Sequence, residues 1–149
     1  SARTLKGNAM SIVQYGGRKP PIIISDTEKL ALERLADIWA ITQPEVADEL
    51  MAELDRAEVV PEAGMRRDVV RMGSTLTYET DPGEARTVTL VYPREADIAE
   101  GRVSVLTPIG TALLGLSPGQ SIEWQARDGR THRLTVTRVE QDSEHRVAS

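Results

Sequence analysis

Cysteine and phenylalanine are both missing from this chain, and aromatic residues make up only 3% of it. Without thiols there can be no disulfide and no thiolate-ligated zinc site, and the two histidines, His132 and His145, have no helical partner at ligand spacing. A metal enzyme therefore finds no support. The shortage of rings leaves little from which to build stacking platforms for single-stranded nucleic acid. No apolar run approaches the roughly 20 residues of a spanning helix, and the first residues lack the apolar stretch of a secretory signal. A glycine-rich phosphate loop is absent as well, and serines such as Ser104 and Ser121 have no histidine placed to activate them. The expectation is a protein of the cytoplasm that is not an enzyme, needs no cofactor or metal, and reads no nucleic-acid sequence directly.

What remains is a 149-residue chain with 40% apolar and 28% charged residues, enough for one main core and an appendage. Its net charge of -5 is unevenly spread. Residues 1 to 19 carry Arg3, Lys6, Arg18 and Lys19 with no acid, giving +4. Residues 20 to 60 hold three basic and ten acidic side chains, which is -7, and 61 to 149 hold eleven and thirteen, which is -2. An acidic segment suits a basic protein partner and repels DNA phosphates, although such a run also fits a plain solvated helix face.

The first 19 residues show no periodicity and read as a mobile N-terminal tail. Residues 20 to 60 read as a short helical hairpin. Ser25-Asp26-Thr27-Glu28 fits a capping box that starts a helix near residue 26, and Ala31, Leu32, Leu35, Ile38 and Trp39 follow as one apolar stripe. Thr42-Gln43-Pro44-Glu45 is a second start signal, after which Val46, Leu50, Leu54 and Ala57 line one face. The two helices should pair antiparallel, with Leu35 and Leu54 buried between them. A hairpin packed on a domain and a dedicated binding arm both fit this pattern.

Beyond Val60-Pro61 the periodicity turns strand-like. Gly73 to Tyr78 alternates, Asp81-Pro82-Gly83 turns, and Thr87 to Tyr92 pairs back as a hairpin. Val103 to Leu106 is a third strand, and Pro108 to Leu114 a short helix closed by Gly115. Ser121 to Ala126, the turn Asp128-Gly129 and Thr131 to Val139 make a second hairpin. The predicted fold class is α+β: a helical hairpin, then an antiparallel sheet wrapped on one short helix over residues 61 to 149.

Glu45 shares a helix face with Asp48 or Glu49, a pair that could hold Mg²⁺ with solvent oxygens. Solvated acidic pairs are common on helices, and nothing else in the sequence specifies catalysis.

Five ordered blocks carry more information: Arg71 to Leu76, Leu90 to Asp97, Gly101 to Ser104, Thr107 to Gly115, and Pro118-Gly119-Gln120. In order and spacing they resemble the C-terminal domain of the Gre-type transcription elongation factors (GreA/GreB). The short hairpin with Ala52-Glu53-Leu54-Asp55-Arg56-Ala57 is most similar to the Rnk type, named as regulators of nucleoside diphosphate kinase. The resemblance implies an FKBP-like domain and bacterial RNA polymerase as partner, docked at the rim of the secondary channel. By the same resemblance Asp97, Ser104, Leu106, Thr107 and Pro108 are the candidate polymerase contacts, and Thr42, Gln43 and Glu45 the hairpin tip. Two departures from the Gre pattern stand out. Leu106 replaces the acid that precedes Ser-Pro in Gre factors, and the tip Ala40-Ile41-Thr42-Gln43-Pro44 lacks the acidic residues of the long Gre coiled coil. The resemblance thus implies a regulator that occupies the Gre site without stimulating transcript cleavage. A cleavage factor acting through Glu45 and Asp48 and an FKBP-like prolyl isomerase stand as alternatives.

Overall fold

A computed structural model describes residues 19–80, 83–125 and 130–141. The expected tail up to residue 18, Asp81 and Pro82 of the first turn, the Asp128-Gly129 turn and His145 lie outside the described residues.

The chain enters through a short strand, β1 (Ile23–Ser25), whose last residue caps helix α1 (Asp26–Trp39). Ser25 Oγ accepts from the Glu28 amide at 3.0 Å, which is half of the expected capping box. The Glu28 carboxylate does not return to the cap. It is drawn instead to the Arg71 guanidinium at 3.1 Å, a charged donor stronger than a neutral amide. Along α1 the buried stripe is narrower than expected. Leu32 and Ala36 are buried and Leu35 and Trp39 partly so, whereas Ala31 and Ile38 face solvent, because among the described residues α2 is the one helix packed against α1.

Ala40 to Gln43 turn the chain into α2 (Pro44–Arg56), with Pro44 in its first turn. The expected Thr42 cap is not made. Gln43 is the capping residue, and no side chain bonds the free amides. Ala47, Leu50 and Leu54 are buried, and so is Glu53, whose carboxylate meets Lys19 at 3.1 Å and Arg56 at 2.9 Å. From α2 the chain passes into β2 (Glu58–Val60), which pairs parallel with β1, Ile24 opposite Val59. This two-stranded sheet closes the base of the hairpin.

The remaining strands are β3 (Thr75–Thr80), β4 (Glu84–Val91), β5 (Arg102–Ser104), β6 (Ser121–Gln125) and β7 (Thr131–Glu140), with α3 (Pro108–Leu113) between β5 and β6. Their order in one sheet is β5-β4-β3-β7-β6. Both expected hairpins form, β3 with β4 and β6 with β7. The all-antiparallel expectation is corrected at one edge, where β5 runs parallel to β4 with Leu90 opposite Val103. Tight 3₁₀ turns at Pro93–Glu95 and Ile98–Glu100 reverse the chain on the way, so β5 begins in the direction in which β4 ended. The fold is α+β around a mixed sheet.

A register shift against Thr77/Tyr78 leaves Thr137 as the extra residue of β7. Strand alternation would put Val136 and Val139 on opposite faces. With the bulge, Val136 sits opposite Tyr78 and Val139 opposite Leu76, both toward the core. Among the described residues most of that core forms one cluster. It joins Leu32, Leu50 and Leu54 of the hairpin to Leu76, Leu90, Leu113 and Leu134. Gly115, in the left-handed region at φ 83°, allows the close approach between the end of α3 and β1: a Cβ there would lie 2.7 Å from that of Ile22. The Ile23 amide bonds the Gly115 carbonyl at 3.2 Å in the same place.

Candidate docking surface

Of the candidate contacts, Asp97 lies in the turns between β4 and β5, Ser104 ends β5, and Leu106, Thr107 and Pro108 lead from it into α3. Asp97 and Arg102 exchange both backbone bonds at 2.9 Å, pinching residues 97 to 102 into a small closed loop. Gly101 closes it at φ 77°. Arg102 donates from Nε to the Glu95 carbonyl at 3.1 Å and approaches the Asp97 carboxylate at 3.5 Å. Half-exposed, the Asp97 carboxylate lines an open cleft of about 620 Å³ together with Thr89, Val91, Arg94, Glu95 and Arg102. Ile98, at 88% exposure, stands beside it. Arg94 lies on this cleft and also on a second one of about 550 Å³, walled by Leu35, Trp39, Tyr92 and Pro93. Sequence reasoning did not single out Arg94, although it sits inside one of the quoted blocks. Its signal is spatial: an exposed guanidinium with no ion-pair partner among the described residues.

The stretch 104 to 108 is of a different kind. Ser104 Oγ accepts from the Leu106 amide at 3.0 Å, and the Ser104 carbonyl accepts from Thr107 Oγ1 at 2.7 Å. Thr107 Oγ1 in turn accepts from the Gly110 amide at 3.0 Å, capping α3, whose first residue is Pro108. A Cβ on Gly110 would collide with the Ser104 carbonyl, so only glycine fits this turn. Ser104 and Leu106 are each only 8% exposed, and Leu106 belongs to the core cluster. Neither side chain is presented as a surface group. Thr107 and Pro108 remain half-buried, and none of the four lines the cleft that holds Asp97.

In and just after the turn between α1 and α2, Thr42, Gln43 and Glu45 are all exposed. The Thr42 and Gln43 amides both bond the Trp39 carbonyl, at 3.2 and 2.7 Å, holding the turn tight.

At the start of α1, away from the tip, an ion network ties the hairpin to the segment before the sheet. Arg71 reaches Glu28 of α1 at 3.1 Å and clasps both oxygens of Glu62, at 2.8 and 2.7 Å. Burial raises the Glu28 carboxyl above its ordinary pKa despite Arg71, and its Oε1 is enclosed with no hydrogen-bond partner among the described residues. The exposed Glu62 carboxyl is lowered, first by the Ser25 hydroxyl and then by Arg71. Burial and the neighbouring Glu28 raise the Tyr92 phenol.

Comparison with known proteins places this architecture. Residues 65–141 match the family described as transcription elongation factor, GreA/GreB, C-terminal, and residues 20–60 match the Rnk N-terminus. The chain is 38% identical over 127 residues to the regulator of nucleoside diphosphate kinase of Escherichia coli K12, spanning 85% of this chain and 93% of that protein. It is 40% identical over 85 residues to the elongation factor GreA of Rhodospirillum rubrum, where the match covers 56% of this chain and 54% of GreA. A solved structure, the transcription elongation factor GreA/GreB from Nitrosomonas europaea, superposes with a TM-score of 0.65 at 38% identity, over 82% of this chain and 99% of that one.

Proposed function

The chain belongs to the GreA/GreB family, with an Rnk-type N-terminus, and on that premise we propose that it is a transcription regulator that binds RNA polymerase at the Gre site without stimulating transcript cleavage. The observation that carries this reading is the hairpin. Helix α1 has 14 residues and α2 has 13, so at about 1.5 Å per residue the pair is roughly 20 Å long. The tip from Ala40 to Gln43 holds no carboxylate, and the first acid beyond it is Glu45. Delivering a second metal or an oriented water to a polymerase centre requires carboxylates at the end of an arm long enough to traverse the channel while the body stays at its rim. A short arm cannot meet both conditions. Occupancy then acts by exclusion, competing with Gre factors for the same place. In this reading residues 20 to 60 are the arm, and residues 61 to 149 are an FKBP-like docking domain. The Asp97 loop, together with the half-buried Thr107 and Pro108, forms the docking contact, while Ser104 and Leu106 hold the shape of the turn from inside.

The test uses core RNA polymerase and a backtracked elongation complex. The protein should bind core enzyme, lose affinity on Asp97→Ala, and inhibit cleavage stimulated by an added Gre factor. Shortened transcripts in the absence of any Gre factor, lost on Glu45→Ala with Asp48→Ala, would overturn the non-cleaving reading.

A further inference from the structure

On the outer side of α1, opposite the buried Leu32 and Ala36, Leu30 and Ile38 are 54% and 66% exposed, and Ile41 in the following turn is 84% exposed. Leu30 and Ile38, eight residues apart, lie on one side of α1 with Arg34 between, and Ile41 follows in the turn just beyond the helix end at Trp39. Single exposed aliphatics need no explanation, but an aligned ridge ending at the most prominent point of a hairpin does. Folding does not account for it, since a smaller or polar residue would serve equally well at positions so exposed.

The charges around the ridge select its occupant. Asp37 precedes Ile38 and Glu45 follows the turn that holds Ile41, both exposed; Arg34 is the opposing charge on the ridge, and Lys29 is neutralised by Glu33 at 3.2 Å. The segment from 20 to 60 carries -7 in all, but Glu28 and Glu53 are turned inward and ion-paired, so the acidity at the ridge comes from the exposed carboxylates nearest it. A rim of this sign repels nucleic-acid phosphates and anionic lipid headgroups alike, and it repels a second copy of the same hairpin. It suits a protein surface in which Lys and Arg surround an apolar recess.

We propose that the Leu30–Ile38–Ile41 ridge is a docking surface whose tip, Ile38 and Ile41, seats in a basic-rimmed apolar recess of the polymerase; this rests on the polymerase-binding reading above. The apolar tip supplies the contact that persists at high salt, and the acidic rim supplies steering that salt screens. The hairpin therefore engages its partner by hydrophobic seating rather than by delivering a carboxylate to a metal.

Binding of the full-length protein to core RNA polymerase is measured by competition with a labelled Gre factor, for wild type, Ile38→Asp, Ile41→Asp and, as a separate surface, Asp97→Ala. Both isoleucines are exposed, so melting temperatures should stay at the wild-type value. Each Asp substitution should weaken binding by about tenfold or more, the scale of a hot-spot residue. A conservative Ile41→Leu should bind like wild type. Wild-type binding with unchanged affinity in Ile38→Asp and Ile41→Asp would refute the ridge and leave the polymerase reading standing. No wild-type binding at all would refute that reading instead. Sedimentation of the protein alone is the remaining check: a dimer dispersed by Ile41→Asp would assign the ridge to self-association and overturn the proposal.

Discussion

Leu54 lies at the end of α2 nearest the sheet and is fully buried in the cluster that also holds Leu76, Leu90, Leu113 and Leu134. Replacing it with Ala deletes three carbons and leaves a cavity at a fully buried position, so the cost should fall in the range of about 2 to 5 kcal/mol, near 3. For a chain of this size about 1 kcal/mol corresponds to roughly 3 °C, which puts the fall in melting temperature near 10 °C. Leu35, only partly buried, should cost about half as much when cut to Ala. The cluster makes a further demand. If hairpin and sheet share one core, Leu54→Ala should lower protection across both, because global unfolding becomes the easiest route to exchange for the most protected amides. Thermal denaturation by circular dichroism, paired with amide exchange read at residues 44–56 of α2 and at the core strands β3 and β7, checks this. Wild-type protection in β3 and β7 beside lost protection in α2 would mean that the hairpin opens by itself, and the shared core would then not govern its stability.

Two other outcomes follow from the geometry. On acidification Glu28 should protonate before Glu62, because burial raises the first above 4.5 while the Ser25 hydroxyl and Arg71 lower the second below it. The stabilising effect of protonated Glu28 is complete below 4.5 and lost as pH rises through its folded value, whereas that of ionised Glu62 is present above 4.5 and lost as pH falls through its own. Carboxyl carbon NMR titration reads both midpoints, and the reverse order would contradict the network. Gly110→Ala should destabilise the protein by about 1 to 3 kcal/mol, since the added methyl must displace the Ser104 carbonyl. An unchanged melting temperature would show that the turn before α3 yields without cost.

Local chemistry made much of this protein legible in its sequence. The Ser25 cap, Pro44 and Pro108 in first helical turns, Gly115 at the end of α3 and the two hairpins each depend on residues a few positions apart, and each stands where the pattern put it. The Gre-type blocks were legible for the same reason, as contiguous runs in fixed order. What the tertiary structure decided joins residues far apart in the chain. Parallel pairing of β1 with β2 and of β5 with β4, the clasp of Arg71 on Glu28 and Glu62, and the bulge that turns both Val136 and Val139 inward leave no periodic trace. Exposure belongs to this second group. Leu106 and Ile41 are both aliphatic residues in loops, yet one is in the core and the other stands at the hairpin tip. Hydrophobicity states only that burial would be favourable; whether it happens depends on a neighbour, and neighbours are supplied by the fold.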